Sequence, residues 1–421
     1  MSSHPFWPAP KGKVFRATVN LPGSKSLTNR ELLLSAIADS PTKLIAPLVS
    51  RDSKLMIAAL ESLGTKFEWQ GGDLLVTPGE LTGGATIDCG LAGTVMRFVP
   101  PLSLLAKGKT FFDGDEGARR RPMHTTIESL RALGAQIEPG RIALPFSVET
   151  DGQIKGGELE IDASASSQFV SGLLLVAAKF EAGLTLIHTG EELPSLPHIE
   201  MTIETLRQRG VNAYAINERS WRVEPGPVSG GSVVIEPDLS NAGPFLAAAM
   251  VCNAEITIPH WPDRTTQVGA EFERILPMMG AKISRSESGL KLQGGAIHGL
   301  DIDLSIGGEL APVIAALAVL ADSPTRITGI AHLRGHETDR LKALTAEINR
   351  IGGNCHELPD GLEITPAEIT GGKWFSYEDH RMATAGAIIG LRYPIEVENI
   401  ATTSKTMPEF PTLWMNMLES L

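Results

Sequence analysis

Cysteine is scarce in this chain of 421 residues: only Cys89, Cys252 and Cys355 occur, far apart and odd in number. That pattern excludes a disulfide framework and gives no Cys-x-x-Cys zinc spacing. Long apolar runs are missing as well. The longest helical one, near Pro312 to Ala321, is about half of what a membrane crossing requires. Surplus positive charge is also lacking. The net charge of −12 argues against nonspecific nucleic-acid binding and makes each local basic cluster more informative. Residues Met1 to Pro8 lack the basic stretch and apolar run of a signal peptide. There is no Walker A loop, no Rossmann fingerprint and no Gly-x-Ser-x-Gly elbow. What remains is a soluble, reduced, cytoplasmic protein, too long for one ordinary core and so expected to form two domains.

One stretch stands out among what is present. Leu21, Pro22 and Gly23 end an extended segment, and Ser24, Lys25, Ser26, Leu27, Thr28, Asn29 and Arg30 follow. A hydroxyl at Ser24 or Ser26 is placed to cap an Ala/Leu-rich helix. Its free N–H groups, the positive end of its dipole, Lys25 and Arg30 together make an anion site. A capped surface helix with two stray cations is the plainer reading of this stretch alone.

The chain also repeats. Apolar-x-x-x-Gly recurs with glycine at 64, 134, 210, 280 and 352, roughly seventy residues apart, each ending an amphipathic stretch as a helix C′ residue does. Apolar helices predicted to be buried begin near Ser26, Thr94, Ser166, Ser240, Glu309 and Asp379, each about forty residues before its glycine. Six units of buried helix, strand, surface helix, glycine stop and further strands account for the whole length. The natural division is three plus three. We expect an α/β (α+β) protein with a first lobe at 24–237 and a second built from 1–23 and 238–421, with hinges near 21–24 and 235–239.

Polar residues gather at helix starts, in phase with that repeat. Gly93 and Arg97 stand at one, where close backbone approach and a guanidinium fork suit phosphate or carboxylate. Arg119, Arg120 and Arg121 are read as opening a surface helix, against its dipole, so that an anion is expected to compensate. Ser164, Ser166, Ser167 and Gln168 form a donor cluster, and Ser195 and His198 occupy a Pro-flanked turn. In the second half come Glu309, then His332, His336, Glu337 and Arg340, then Asp379, His380 and Arg381, then Lys405. Glu337 beside cations is a candidate acid or base. No metal site is expected. The cationic capacity exceeds what one carboxylate needs and suits two polyanionic ligands such as phosphate esters.

Leu21 to Arg30, Ala92 to Arg97, Ser166 to Phe169, Glu337 to Arg340, Asp379 to Met382 and Ser404 to Thr406, in that order, resemble the 5-enolpyruvylshikimate-3-phosphate synthase family. The resemblance runs almost end to end. It implies a two-domain inside-out α/β barrel of six βαβαββ-type units, three per domain, with buried helix N-termini facing the cleft between domains. It implies transfer of the carboxyvinyl group of phosphoenolpyruvate to the 5-hydroxyl of shikimate 3-phosphate by a cytoplasmic monomer, with no cofactor or metal and no nucleic-acid or membrane partner. Shikimate-phosphate contacts then fall on Lys25, Ser26, Arg30, Ser166, Ser167, Gln168, Ser195, Glu309, His332 and His336. Phosphoenolpyruvate contacts fall on Lys25, Gly93, Arg121, Gln168, Arg340, Arg381 and Lys405. Catalysis falls on Lys25, Glu309 and Glu337. The better-known members carry Asp at Glu309, Asn and Lys at His332 and His336, and Tyr at His198. The family's inhibitor glyphosate takes the phosphoenolpyruvate space beside Gly93. The alternatives are the sister transferase acting on UDP-N-acetylglucosamine, which usually carries a reactive Cys and an Asn after its first Lys, and a non-catalytic two-lobe binder of sugar phosphates.

Overall fold

Runs that are apolar on every side form inner helices. Every residue of Gly93–Ser103, Leu239–Val251 and Ala311–Val319 is buried, as expected for helices with no polar face to offer water. Runs with one apolar stripe, such as Arg51–Ser62 and Arg340–Arg350, form outer helices buried along that stripe alone. The glycines that follow the outer helices, Gly64, Gly134, Gly210, Gly280 and Gly352, all have positive φ between 79° and 116°. They terminate these helices as C′ residues, where a Cβ would be strained.

The computed structural model describes residues 5–420. It is a mixed α/β structure that divides into two units, Gly23–Ile235 and Met1–Pro22 with Glu236–Leu421. Each has its own core. One gathers apolar residues from Leu32 to Val228, the other from Phe15 to Val19 and from Leu239 to Leu418.

The contiguous unit contains three sheets of one pairing order. In the first, Gly157–Ile161 pairs parallel with Leu184–His188, which pairs antiparallel with Ser220–Val223, and that strand with Ala213–Asn217. A buried helix, Gln168–Val176, makes the crossover that the parallel pair requires. Gly231–Val234, Thr42–Ile45, Asp73–Thr77 and Lys66–Gln70 repeat the pattern. So do Thr86–Asp88, Gly108–Asp113 and Phe146–Thr150, where the outermost strand is reduced to the bridge Gln136–Glu149.

Among the described residues the unit built from both chain ends has three sheets as well. Arg16–Thr18 pairs parallel with Glu255–Ile258, followed by Gly289–Gln293 and Lys282–Ser286. Asp301–Asp303 pairs with Thr325–Thr328, followed by Gly361–Thr365 and Asn354–Leu358. Gly372–Trp374 pairs with Ile395–Glu398, and Phe6–Pro8 closes that sheet. Arg16–Thr18 therefore precedes a helix of the contiguous unit but pairs in the other one. Gly231–Val234 does the reverse.

Candidate active site

In the contiguous unit the first turns of three buried helices adjoin. Ser24 caps Lys25–Ala36 by accepting from the Leu27 N–H at 3.4 Å. Asn29 on that helix donates to Thr94 Oγ1 at 2.7 Å, at the start of Gly93–Ser103. Arg30, 1% exposed, donates to Thr202 Oγ1 and the His198 carbonyl, both at 2.9 Å, and to Ser171 Oγ on Gln168–Val176 at 3.4 Å. These bonds fix the turn carrying Ser195, whose φ of 56° is left-handed, and His198. The adjoining N-termini concentrate unpaired N–H groups and positive dipole ends at one place.

Gly93 marks that place. A Cβ there would lie 3.0 Å from Arg121 Nη2, 3.0 Å from Arg97 Nη1 and 3.1 Å from Gln168 Oε1. Arg97 donates to Gln168 Oε1 at 3.1 Å and to the Pro122 carbonyl at 3.3 Å. Because guanidinium has donors only, this bond sets which end of the Gln168 amide faces Arg97 and turns its NH2 elsewhere as a donor. Ser166 Oγ accepts from the Gln168 N–H at 3.2 Å, and Ser167 is the N-cap residue. Arg121 donates to the Leu91 carbonyl at 3.2 Å, while its buried Nε has no hydrogen-bond partner among the described residues. Lys25 Nζ stands 3.7 Å from Asp52, a buried carboxylate in the first turn of Arg51–Ser62.

In the other unit three more helix starts carry acids and cations. Glu309 lies in the 3-10 turn Gly308–Leu310 that leads into Ala311–Val319. Its carboxylate accepts from Ser240 Oγ and, at 3.5 Å, from Arg381 Nη2, while Arg381 Nη1 donates to its carbonyl at 3.1 Å. Asp379 caps His380–Gly390 by accepting from the Arg381 N–H at 2.8 Å, and holds Arg340 Nε at 2.7 Å. Arg340 also donates to Glu337 at 2.9 Å, and Lys405 donates to the other oxygen of Glu337. Burial opposes the Arg340 charge, but Asp379 and Glu337 outweigh it and hold the guanidinium above its usual pKa. Glu337 is thus a nearly buried carboxylate between two cations.

Two expectations change. The arginine run does not open a helix: Arg119 ends the one-turn helix Glu116–Arg119, and the next helix starts at His124. Positive charge there suits the dipole. Arg119 and Arg120 pair with Asp113 and Glu116 on the surface, and Arg121 alone turns toward Gly93. Arg97 is 2% exposed and reaches Gln168, so it braces the site where a direct anion fork was expected. His332 and His336 stand four residues apart, but His332 lies within the 3-10 turn Ala331–Gly335 and His336 is its C-cap residue, with ring centroids 5.9 Å apart. Among the described residues no group of three or more His, Cys, Asp or Glu side chains is arranged to hold a metal. Asp52 escaped the sequence reading because one acid in a helix's first turn is an ordinary capping signal. Nothing local ties it to Lys25, far away in the chain.

The sequence model of EPSP synthase (3-phosphoshikimate 1-carboxyvinyltransferase) matches residues 10–414. A 3-phosphoshikimate 1-carboxyvinyltransferase of Kocuria rhizophila is 52% identical over 430 residues, covering 98% of this chain and 97% of that protein. Among solved structures, EPSP synthase from Acinetobacter baumannii aligns with a TM-score of 0.82 at 24% identity, over 99% of this chain and 98% of that one. The enolpyruvyl transferase NikO from Streptomyces tendae aligns at 0.77 and 14% identity, again over 99% and 98%. At such identities these two likenesses concern the fold. With the sequence match spanning nearly the whole chain and a full-length relative sharing half its residues, the chain belongs to the EPSP synthase family.

Proposed function

We propose that this chain transfers the carboxyvinyl group of phosphoenolpyruvate to the 5-hydroxyl of shikimate 3-phosphate and releases phosphate. The observation that carries the reading is Glu337 between Arg340 and Lys405, an acid positioned among the charges that a phosphate ester needs. A proton goes to the methylene carbon of phosphoenolpyruvate, the 5-hydroxyl oxygen bonds to C2 as its own proton passes to a base, and the resulting tetrahedral intermediate expels phosphate as a proton leaves the methyl group. Glu337, Glu309 and Lys25 move protons. Arg121, Arg340, Arg381, Lys405 and Gln168 hold phosphoenolpyruvate and stabilise the departing phosphate, with Gly93 leaving it room. Lys25, Ser26, Arg30, Ser166, Ser167, Gln168, Ser195, Glu309, His332 and His336 hold shikimate 3-phosphate. The chemistry as written needs no metal or cofactor. We read the architecture as an inside-out α/β barrel of six units, with hinges at 21–24 and 235–239, acting as a cytoplasmic monomer.

The sister reaction on UDP-N-acetylglucosamine is less well supported. Ser26 follows Lys25, and burial, with Asp88 and Asp113 nearby, pushes the Cys89 thiol up to about 12, so it is no ready nucleophile. The test is phosphate release from wild type and Lys25→Ala. Release requiring both substrates, and reduced at least ~100-fold in the variant, is expected. Release without shikimate 3-phosphate, or full activity in the variant, refutes the reading. Saturable binding without release identifies the silent binder.

A further inference from the structure

The loop between strand Gly372–Trp374 and helix His380–Gly390 contains two consecutive non-glycine residues in left-handed backbone, Tyr377 at φ 53° and Glu378 at φ 58°. Such backbone persists only where its surroundings impose it. What imposes it is visible. Glu347, wholly buried in helix Arg340–Arg350, accepts from the Phe375 N–H at 3.0 Å and from the Tyr377 hydroxyl at 2.6 Å. Arg350 donates to both Glu347 oxygens, at 3.0 and 3.3 Å, so the buried carboxylate is paired. Two turns earlier on the same face of that helix, Arg340 grips Asp379 at the loop's other end. Asp379 in turn caps the helix that begins with His380 and Arg381. One helix therefore clamps the kinked loop at two points.

We infer that Glu347, acting through Tyr377, is a positioning residue for Arg340 and Arg381. It holds a left-handed kink that glycine would adopt unaided, and the kink aims Asp379 at both arginines. This rests on the proposed assignment of Arg340 and Arg381 to phosphoenolpyruvate.

The experiment compares wild type, Tyr377→Phe, Glu378→Gly and the double variant by steady-state phosphate release, with thermal midpoints alongside. Tyr377→Phe should raise KM for phosphoenolpyruvate about tenfold and leave KM for shikimate 3-phosphate within about twofold, a misplacement effect. Glu347→Gln should give the same one-sided rise. Glu378→Gly removes the backbone penalty at one of the two left-handed residues, so the double variant should recover most of the loss, to within about threefold of wild type. A double variant no better than Tyr377→Phe, or equal rises in both KM values, overturns the inference. If wild type itself releases no phosphate, the functional reading falls. The clamp is then judged by thermal midpoints: recovery of the Tyr377→Phe loss by Glu378→Gly supports it, and a further fall overturns it.

Discussion

Gly93 shows how little room a single atom has here. A methyl at that position would sit 3.0 to 3.1 Å from the ends of Arg121, Arg97 and Gln168, closer than ordinary contact, so those groups must yield by a few tenths of an ångström. Arg97 is poorly placed to yield, because it is buried and bonded to Gln168 and to the Pro122 carbonyl. If phosphoenolpyruvate and glyphosate share the space beside Gly93, as the proposed function has it, Gly93→Ala should weaken glyphosate more than phosphoenolpyruvate. The measurement is the ratio of the inhibition constant to KM for phosphoenolpyruvate, expected to rise on the order of tenfold or more; equal loss of both refutes it. At this scale residue types were more legible than their directions. Three adjacent arginines announce an anion, but only the packed chain shows that two neutralise surface acids and one turns inward. Asp379 is part of a recognisable motif, yet its tie to Arg340 joins segments about forty residues apart, which no local pattern encodes.

Helices and their junctions raise a question of charge. Glu31, nearly two turns into Lys25–Ala36, faces Arg209, the C-cap residue of Leu196–Gln208, at 3.4 Å with both side chains buried. Burial pushes the Glu31 carboxyl up to about 7, with Arg209 pulling it back, and the same burial lowers the Arg209 pKa. A carboxyl raised on folding favours the native state most below its unfolded value, and that contribution is lost as pH rises through about 7. Glu31→Gln fixes the neutral form. Relative to wild type it should gain on the order of 1–3 kcal/mol between pH 5 and pH 8, read from denaturant midpoints. An unchanged difference at the two pH values contradicts this. The elements themselves were readable from the sequence. All five repeat glycines end outer helices, and the inner helices start within two residues of their expected positions. Buried apolar faces and obligatory stops are local, so they leave a local trace. The strand Arg16–Thr18 is only part of the extended segment that Leu21, Pro22 and Gly23 end, because a partner strand limits its length.

For the whole molecule, the chain path makes a prediction about separability. Residues Gly23–Ile235 include every strand of their three sheets, with Gly231–Val234 pairing beside Thr42–Ile45. That stretch, expressed alone, should unfold cooperatively in urea. Residues 236–421 alone lack Phe6–Pro8 and Arg16–Thr18, which leaves the edges of two sheets unpaired. They should not fold cooperatively until a peptide covering 1–22 is added. Cooperative folding of 236–421 without the peptide contradicts the prediction.

The same crossing strands set a timetable on the ribosome. The contiguous unit can finish as soon as Val234 leaves the exit tunnel, before its companion has half its chain. Phe6–Pro8 and Arg16–Thr18 emerge ahead of the contiguous unit, yet their partners Ile395–Glu398 and Glu255–Ile258 are translated long afterwards. Strands made before that unit are thus among the last to find their place, and must stay unpaired while a whole domain matures behind them.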